Sequence, residues 1–172
     1  SVIDRCNFRC RYCVPSKKFS VITHDRIARY EEILRITRLA CSMGITKVRI
    51  TGGEPFVRKG IFSFLEQLCN IEGIEDVSIT TNGSRLTPER IEALKKMGIT
   101  RLNFSLDTLD PQRFKQITGR DRFQKVWKAI LAAHGFSETE TVHFNGTGEP
   151  LLHPDLGTFL QAAADADVGA EI

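Results

Sequence analysis

Three of the five cysteines in this 172-residue chain fall in one short stretch, Cys6-Asn7-Phe8-Arg9-Cys10-Arg11-Tyr12-Cys13. The spacing C-x-x-x-C-x-x-C constrains the fold strongly, because one loop has to present three thiols together. A four-iron cluster normally takes one thiolate per iron, so three thiolates leave one iron open to a ligand that is not protein. An open coordination position is what separates a catalytic metal site from a structural one. The residues also allow a zinc knuckle lacking its fourth ligand, or disulfides with one cysteine left over. Cys41 and Cys69 lie in apolar helical patterns and read as packing residues.

The rest of the chain alternates short strands with helical periodicity. Ser1-Val2-Ile3 reads as the end of a strand leading into the cysteine loop. Apolar residues recurring at three- and four-residue steps predict a helix over 25–43, stopped by Gly44. Lys47-Val48-Arg49-Ile50 is a strand, followed by Thr51-Gly52-Gly53-Glu54-Pro55 and a helix over 61–69. Asp76 to Thr80 is the next strand, ending in the turn Thr81-Asn82-Gly83. Thr87-Pro88 is a helix start running to Met97. Arg101 to Asp107 reads as a strand, Asp110-Pro111 opens a short helix, and a further helix covers 122–134. Alternation of this kind predicts α/β architecture with a parallel sheet. Its functional loops are expected at the C-terminal ends of the strands.

Charge divides the chain. The 36 residues from Ser137 hold seven acidic side chains and no Lys or Arg, whereas the remainder carries 24 basic against 14 acidic side chains, a net of +10. A basic body suits a phosphate-bearing ligand. Within the tail, Thr141-Val142-His143-Phe144 followed by Gly148-Glu149-Pro150 and a helix over 154–166 resembles a second strand–GEP–helix unit. Val168 to Ile172 reads as a further strand. The expected organisation is one domain over 1–172: the strand–helix units of 1–136 and an added unit over 137–172, as in a splice. The added unit is expected to cover the sheet edge; a role for Glu149 or His153 at the rim is the alternative. No apolar run approaches the length of a membrane span and no leader is expected. An odd number of cysteines, three of them clustered, points to a reducing cytoplasm.

The stretches SVIDRCNFRCRYCVP, VRITGGEPFVR, ITTNG, RLNFSLDTLD and FKQITGRD resemble the radical S-adenosylmethionine superfamily. Within it they are most similar to the GTP 3′,8-cyclase family of molybdenum cofactor biosynthesis. The resemblance implies a partial, TIM-like (β/α) barrel of parallel strands. Its cofactors would be a [4Fe-4S] cluster on Cys6, Cys10 and Cys13 and S-adenosyl-L-methionine chelated to the open iron. One electron then cleaves the carbon–sulfur bond and yields a 5′-deoxyadenosyl radical. By matching motifs, Tyr12 would touch the adenosyl group. Gly52, Gly53 and Glu54 would bind the methionine amino group, and Ser105 would hydrogen-bond the cofactor. Arg49 and Thr81 would meet the GTP substrate. The partners implied are GTP or another small molecule and a reducing donor such as a flavodoxin-type protein; nucleic acid is not expected.

Two departures qualify the expectation. Val14 stands where the cyclase family has methionine. The three further cysteines that hold a second cluster near GTP in that family have no counterpart in these residues. Cofactor cleavage is therefore better supported by the sequence than GTP cyclisation. A radical enzyme acting on a peptide or another small molecule, and a recombined barrel that binds a cluster without turnover, remain as alternatives.

Overall fold

Three parallel strands, β1 (Lys47–Ile50), β2 (Asp76–Thr81) and β3 (Arg101–Phe104), form a sheet in the order β1-β2-β3. The register pairs Ile50 with Ile79 and Ile79 with Leu102. The computed structural model describes residues 1–13, 23, 26–133, 136, 141–143, 161, 165 and 169–171. Helices α1 (Tyr30–Ser42), α2 (Ile61–Cys69), α3 (Pro88–Lys96), α4 (Pro111–Thr118) and α5 (Phe123–Ala132) precede, connect and follow the strands. The sheet is open, with parallel β-α connections, which is part of a TIM-like barrel.

Side chains alternate across a strand. Val48, Ile50, Val77, Ile79 and Leu102 therefore share one face, which packs on Leu34, Phe64, Leu65, Leu68, Ile91 and Leu94. Phe64, Leu65 and Leu68 are fully buried, and each contributes ~1.5–3 kcal/mol by leaving water. The opposite face is polar, with Arg49 beside Ser78 and Ser78 beside Arg101.

Most element boundaries follow the sequence pattern. Thr87 caps α3 through its hydroxyl, and Asp110 caps α4 by accepting from Gln112 N and Arg113 N. Two boundaries differ. Helix α1 begins at Tyr30: Arg58 Nη2 holds the preceding chain by donating to Ala28 O at 2.7 Å, and Arg29 caps the helix, its N–H donating to Glu32 Oε2 at 2.6 Å. Strand β3 stops at Phe104. Ser105 N makes a last bond to Thr81 O, and β2 then turns away as Asn82 N reaches Glu54.

Residues 1–3 form no ladder strand. They lie alongside the end of β1, with Val2 N donating to Thr51 O at 2.7 Å and Gly53 N to Ile3 O at 2.6 Å. In the tail, β4 (Thr141–His143) and β5 (Gly169–Glu171) pair in parallel, and β4 comes within 8 Å (Cα–Cα) of β3. Gln161 and Asp165 are helical. Phe144, Glu149, His153 and the rest of the expected 154–166 helix lie outside the described residues, as do Val14 and Pro15. Among the described residues no helix is long and apolar enough to cross a membrane.

Candidate functional site

The cysteine loop is seated on the C-terminal end of α4. Arg9 N donates to Thr118 O at 2.9 Å and Arg11 N to Ile117 O at 3.0 Å, so the helix's last carbonyls find partners in the loop. Gly119 ends α4 in the left-handed conformation (φ 66°) and lies against Arg9, where an added Cβ would sit 3.4 Å from the Arg9 carbonyl. Arg120 Nε donates to Asn7 O, and Arg9 Nη1 donates to the carbonyls of Cys6 and Phe8. Below the loop Phe8 meets Phe114 edge to face at 5.7 Å, and Phe114 meets Phe123 the same way. Phe8 and Phe114 are buried, and Cys6 and Cys10 pack against this cluster. The ITGRD stretch, read from sequence only as a family mark, is thus the seat of the cysteine loop.

All five cysteines are free thiols. Cys6 and Cys10 are partly buried, while Cys13 is exposed. Burial raises the Cys6 thiol above its ordinary range, opposed by a hydrogen bond from Phe8 N, and pushes Cys10 up to about 11. Among the described residues no three His, Cys, Asp or Glu side chains converge as a single-ion site would require. A four-iron cluster takes each thiolate on a different iron and asks for a wider triangle.

The second half of the site is the loop after β1. Glu54 is fully buried. Its Oε1 accepts from Phe56 N at 3.0 Å and from Thr81 Oγ1 at 2.9 Å, and its Oε2 accepts from Asn82 N at 2.7 Å. Burial raises its carboxyl above the usual range, and the three donors act against that rise. The carboxylate expected to meet an ammonium therefore ties the loop after β1 to the turn after β2. Thr81, expected at a substrate, is buried, and its hydroxyl donates to Glu54 and accepts from Gly83 N. Gly52 and Gly53 serve the seam with residues 3–5. A Cβ on Gly52 would lie 2.6 Å from Ile3 O, and one on Gly53 would lie 2.3 Å from Arg5 O. Their outer faces are exposed.

Asn82 joins the two halves. Its Nδ2 lies 2.9 Å from Asn7 Oδ1 and 3.7 Å from Cys6 Sγ. On the far side of the loop, Tyr12 is half exposed, and its hydroxyl donates to Asp107 Oδ2 at 3.0 Å. Burial and Asp107 both raise the Tyr12 phenol. Ser105 is exposed at the same rim, one residue beyond β3. Arg49 stands on the polar face of β1, exposed, with Nε 3.4 Å from Ser78 Oγ.

A cleft of about 720 Å³ opens between the loops, lined by Cys6, Cys13, Gly52 and Gly53. Its walls are basic, with Arg5, Arg58 and Arg85 among them. Arg5 Nε is buried with no hydrogen-bond partner among the described residues, so a donor is left for a ligand. Arg58 is held by Val2 O at 2.5 Å and by Ala28 O. Sequence reasoning missed these arginines, although Arg5 and Arg58 flank the cysteine and GGEP motifs directly. Two thiols (Cys6 and Cys13), two glycines and an unused guanidinium donor around one basic cleft, with Cys10 on the same loop, fit a cluster with an anionic ligand beside it.

The family model described as "Radical SAM superfamily" matches residues 1–146, and the chain belongs to that superfamily. The chain is also similar to curated proteins named GTP 3′,8-cyclase. It is 49% identical over 133 residues to that of Heliobacterium modesticaldum and 47% identical over 133 residues to that of Petrotoga mobilis. These matches cover 77% of this chain and 40% and 41% of the relatives, so the chain spans about two fifths of their length. Among solved structures, Streptococcus suis SuiB bound to precursor peptide SuiA superposes with a TM-score of 0.75. It covers 97% of this chain and 36% of that one at 20% identity. The anSMEcpe structure with bound AdoMet gives 0.71, covering 98% and 46% at 17% identity. These likenesses establish the fold.

Proposed function

We propose that this chain is the radical-generating part of a radical S-adenosylmethionine enzyme, and that its substrate is GTP. Cys6, Cys10 and Cys13 would hold a [4Fe-4S] cluster, and S-adenosylmethionine would occupy the open iron beside Gly52 and Gly53. When bound, this pair supplies one-electron reductive cleavage of the cofactor's carbon–sulfur bond. The chain's own residues bind and orient. The exposed backbone of Gly52 and Gly53 meets the amino acid end of the cofactor, and the Arg5 guanidinium suits its carboxylate. Tyr12, oriented by Asp107, and Ser105 border the adenosyl side. Glu54 and Thr81 act by fixing the loops that carry these contacts. Arg49, on the polar sheet face, suits nucleotide phosphates. A one-electron donor of the flavodoxin type in a reducing cytoplasm would feed the site.

The observation that carries this reading is one basic cleft that brings two of the three free thiols, Cys6 and Cys13, beside Gly52 and Gly53. The preference for GTP rests on the similarity to the cyclases. Anaerobic reconstitution tests both levels. Reduction with S-adenosylmethionine is expected to give 5′-deoxyadenosine, and added GTP is expected to be consumed. Deoxyadenosine without GTP consumption removes the substrate and keeps the class; about four bound irons per chain without deoxyadenosine removes the class. Cys10→Ala is expected to abolish iron uptake, while Cys41→Ala leaves it at about four per chain. Equal loss in both would sink the ligand assignment.

A further inference from the structure

The three cysteines are not equivalent in what surrounds their sulfurs. Cys6 Sγ lies 3.3 Å from Phe8 N and 3.7 Å from Asn82 Nδ2. Asn82 comes from another part of the chain, 76 residues away, and is largely buried.

The orientation of its amide is set by chemistry. Ser84 N and Ser84 Oγ lie 3.0 and 2.7 Å from Asn82 Oδ1. A backbone N–H can only donate, so the oxygen must face Ser84 and the NH2 must face Cys6. The same NH2 offers its second hydrogen to Asn7 Oδ1. The Asn82 backbone is fixed as well, through its N–H to Glu54 Oε2. A buried carboxylate, an asparagine and a sulfur are therefore linked in one short chain of contacts.

We infer that Asn82 is a positioning residue whose amide N–H···S hydrogen bond to Cys6 raises the reduction potential of the cluster held there. The inference rests on the ligand assignment made above. Hydrogen bonds to ligating sulfurs draw electron density from them and favour the more negative, reduced state. The set of donors at Cys6 pulls in that direction, and Glu54 keeps the Asn82 donor in place. In this role the GGEP carboxylate reaches the cluster through Asn82 rather than through the cofactor.

The test is an anaerobic redox titration followed by electron paramagnetic resonance, without S-adenosylmethionine, on the unaltered chain and on Asn82→Ala, Asn82→Asp and Ser84→Ala. Asn82→Ala is expected to disfavour reduction about tenfold, a fall of ~59 mV for a one-electron couple. Asn82→Asp keeps an acceptor for Ser84, loses the donor and adds charge, and is expected to fall at least as far. Ser84→Ala keeps the Ser84 N bond to Asn82 Oδ1, and with it the N–H···S bond, and is expected to fall by less than half as far. Iron–sulfur stretching frequencies should shift more in the two Asn82 variants than in Ser84→Ala. Unchanged potentials in loaded Asn82 variants overturn the inference and leave the ligand assignment intact. Folded Asn82 variants that both fail to take up iron also overturn it, in favour of a purely structural amide. Failure of the unaltered chain to load a cluster is the outcome that overturns the ligand assignment itself.

Discussion

The cysteine loop is held from two sides by opposite chemistry. On the α4 side the contacts are apolar and aromatic, Phe8 on Phe114 on Phe123, with backbone bonds from Arg9 and Arg11. On the GGEP side they are polar and buried, running from Glu54 through Asn82 to Asn7 and Cys6. Apolar packing is non-directional and tolerates small shifts, whereas hydrogen bonds fix a direction. The first side supplies stability, and the second sets the place of Cys6 relative to the loop after β1.

This division can be broken by mutation. Phe114→Ala empties the centre of the aromatic seat and is expected to cost ~3–5 kcal/mol in urea unfolding of the chain. Hydrogen exchange at the Arg9 and Arg11 amides should accelerate with it. A cost below ~1 kcal/mol would show that the loop does not depend on this seat. Glu54→Ala strands three donors, Phe56 N, Thr81 Oγ1 and Asn82 N. An unmatched buried donor costs ~1–3 kcal/mol, and water entering the space recovers part of that, so about 3 kcal/mol is expected. If the division holds, this variant unfolds in one transition while amide exchange quickens at Asn82 and not at Arg9. Equal quickening at both would merge the two sides into one unit.

The smallest effect is a pH dependence near neither seam. The Tyr30 ring stacks on Phe64 with centroids 4.5 Å apart, and Arg58 lies 3.9 Å above it. Burial pushes its phenol up to about 12 from 10.0, and Arg58 opposes this. A folded pKa above the unfolded one gives stability that is complete below pH 10 and is lost as pH rises toward 12. Tyr30→Phe is expected to flatten that slope in unfolding measurements, with Phe114→Ala retaining it.

Much of the sheet and its helices was legible because their signals are local. Thr87-Pro88 and Asp110-Pro111 announce helix starts within two residues, and β1 and β2 are β-branched runs between turns. The late start of α1 was not legible, since it depends on Arg58, 30 residues beyond Ala28. The site divides in the same way. The cysteine spacing shows in sequence because its chemistry lies within one loop. Glu54 is expected from its motif at the methionine amino group, and the partners that hold its carboxylate inside, Thr81 and Asn82, lie 27 and 28 residues away. Gly52 and Gly53 also meet the backbone of Ile3 and Arg5, an approach that no local signal announces. Arg49 stands on the polar sheet face as its place in β1 implies.

The seat at the end of α4 has a consequence for how this sequence can vary. An eight-residue helix is a ruler about 12 Å long, and each residue added to it turns its far end by about 100°. The carbonyls of Ile117 and Thr118 face Arg9 and Arg11 only at the present length. One inserted or deleted residue between Asp110 and Gly119 would swing them away from the loop, even with every side chain otherwise kept. Substitution at exposed Gln112, Lys115 or Gln116 changes nothing in that register. The length of α4 is therefore what the seat constrains, more than the side chains on its outer face.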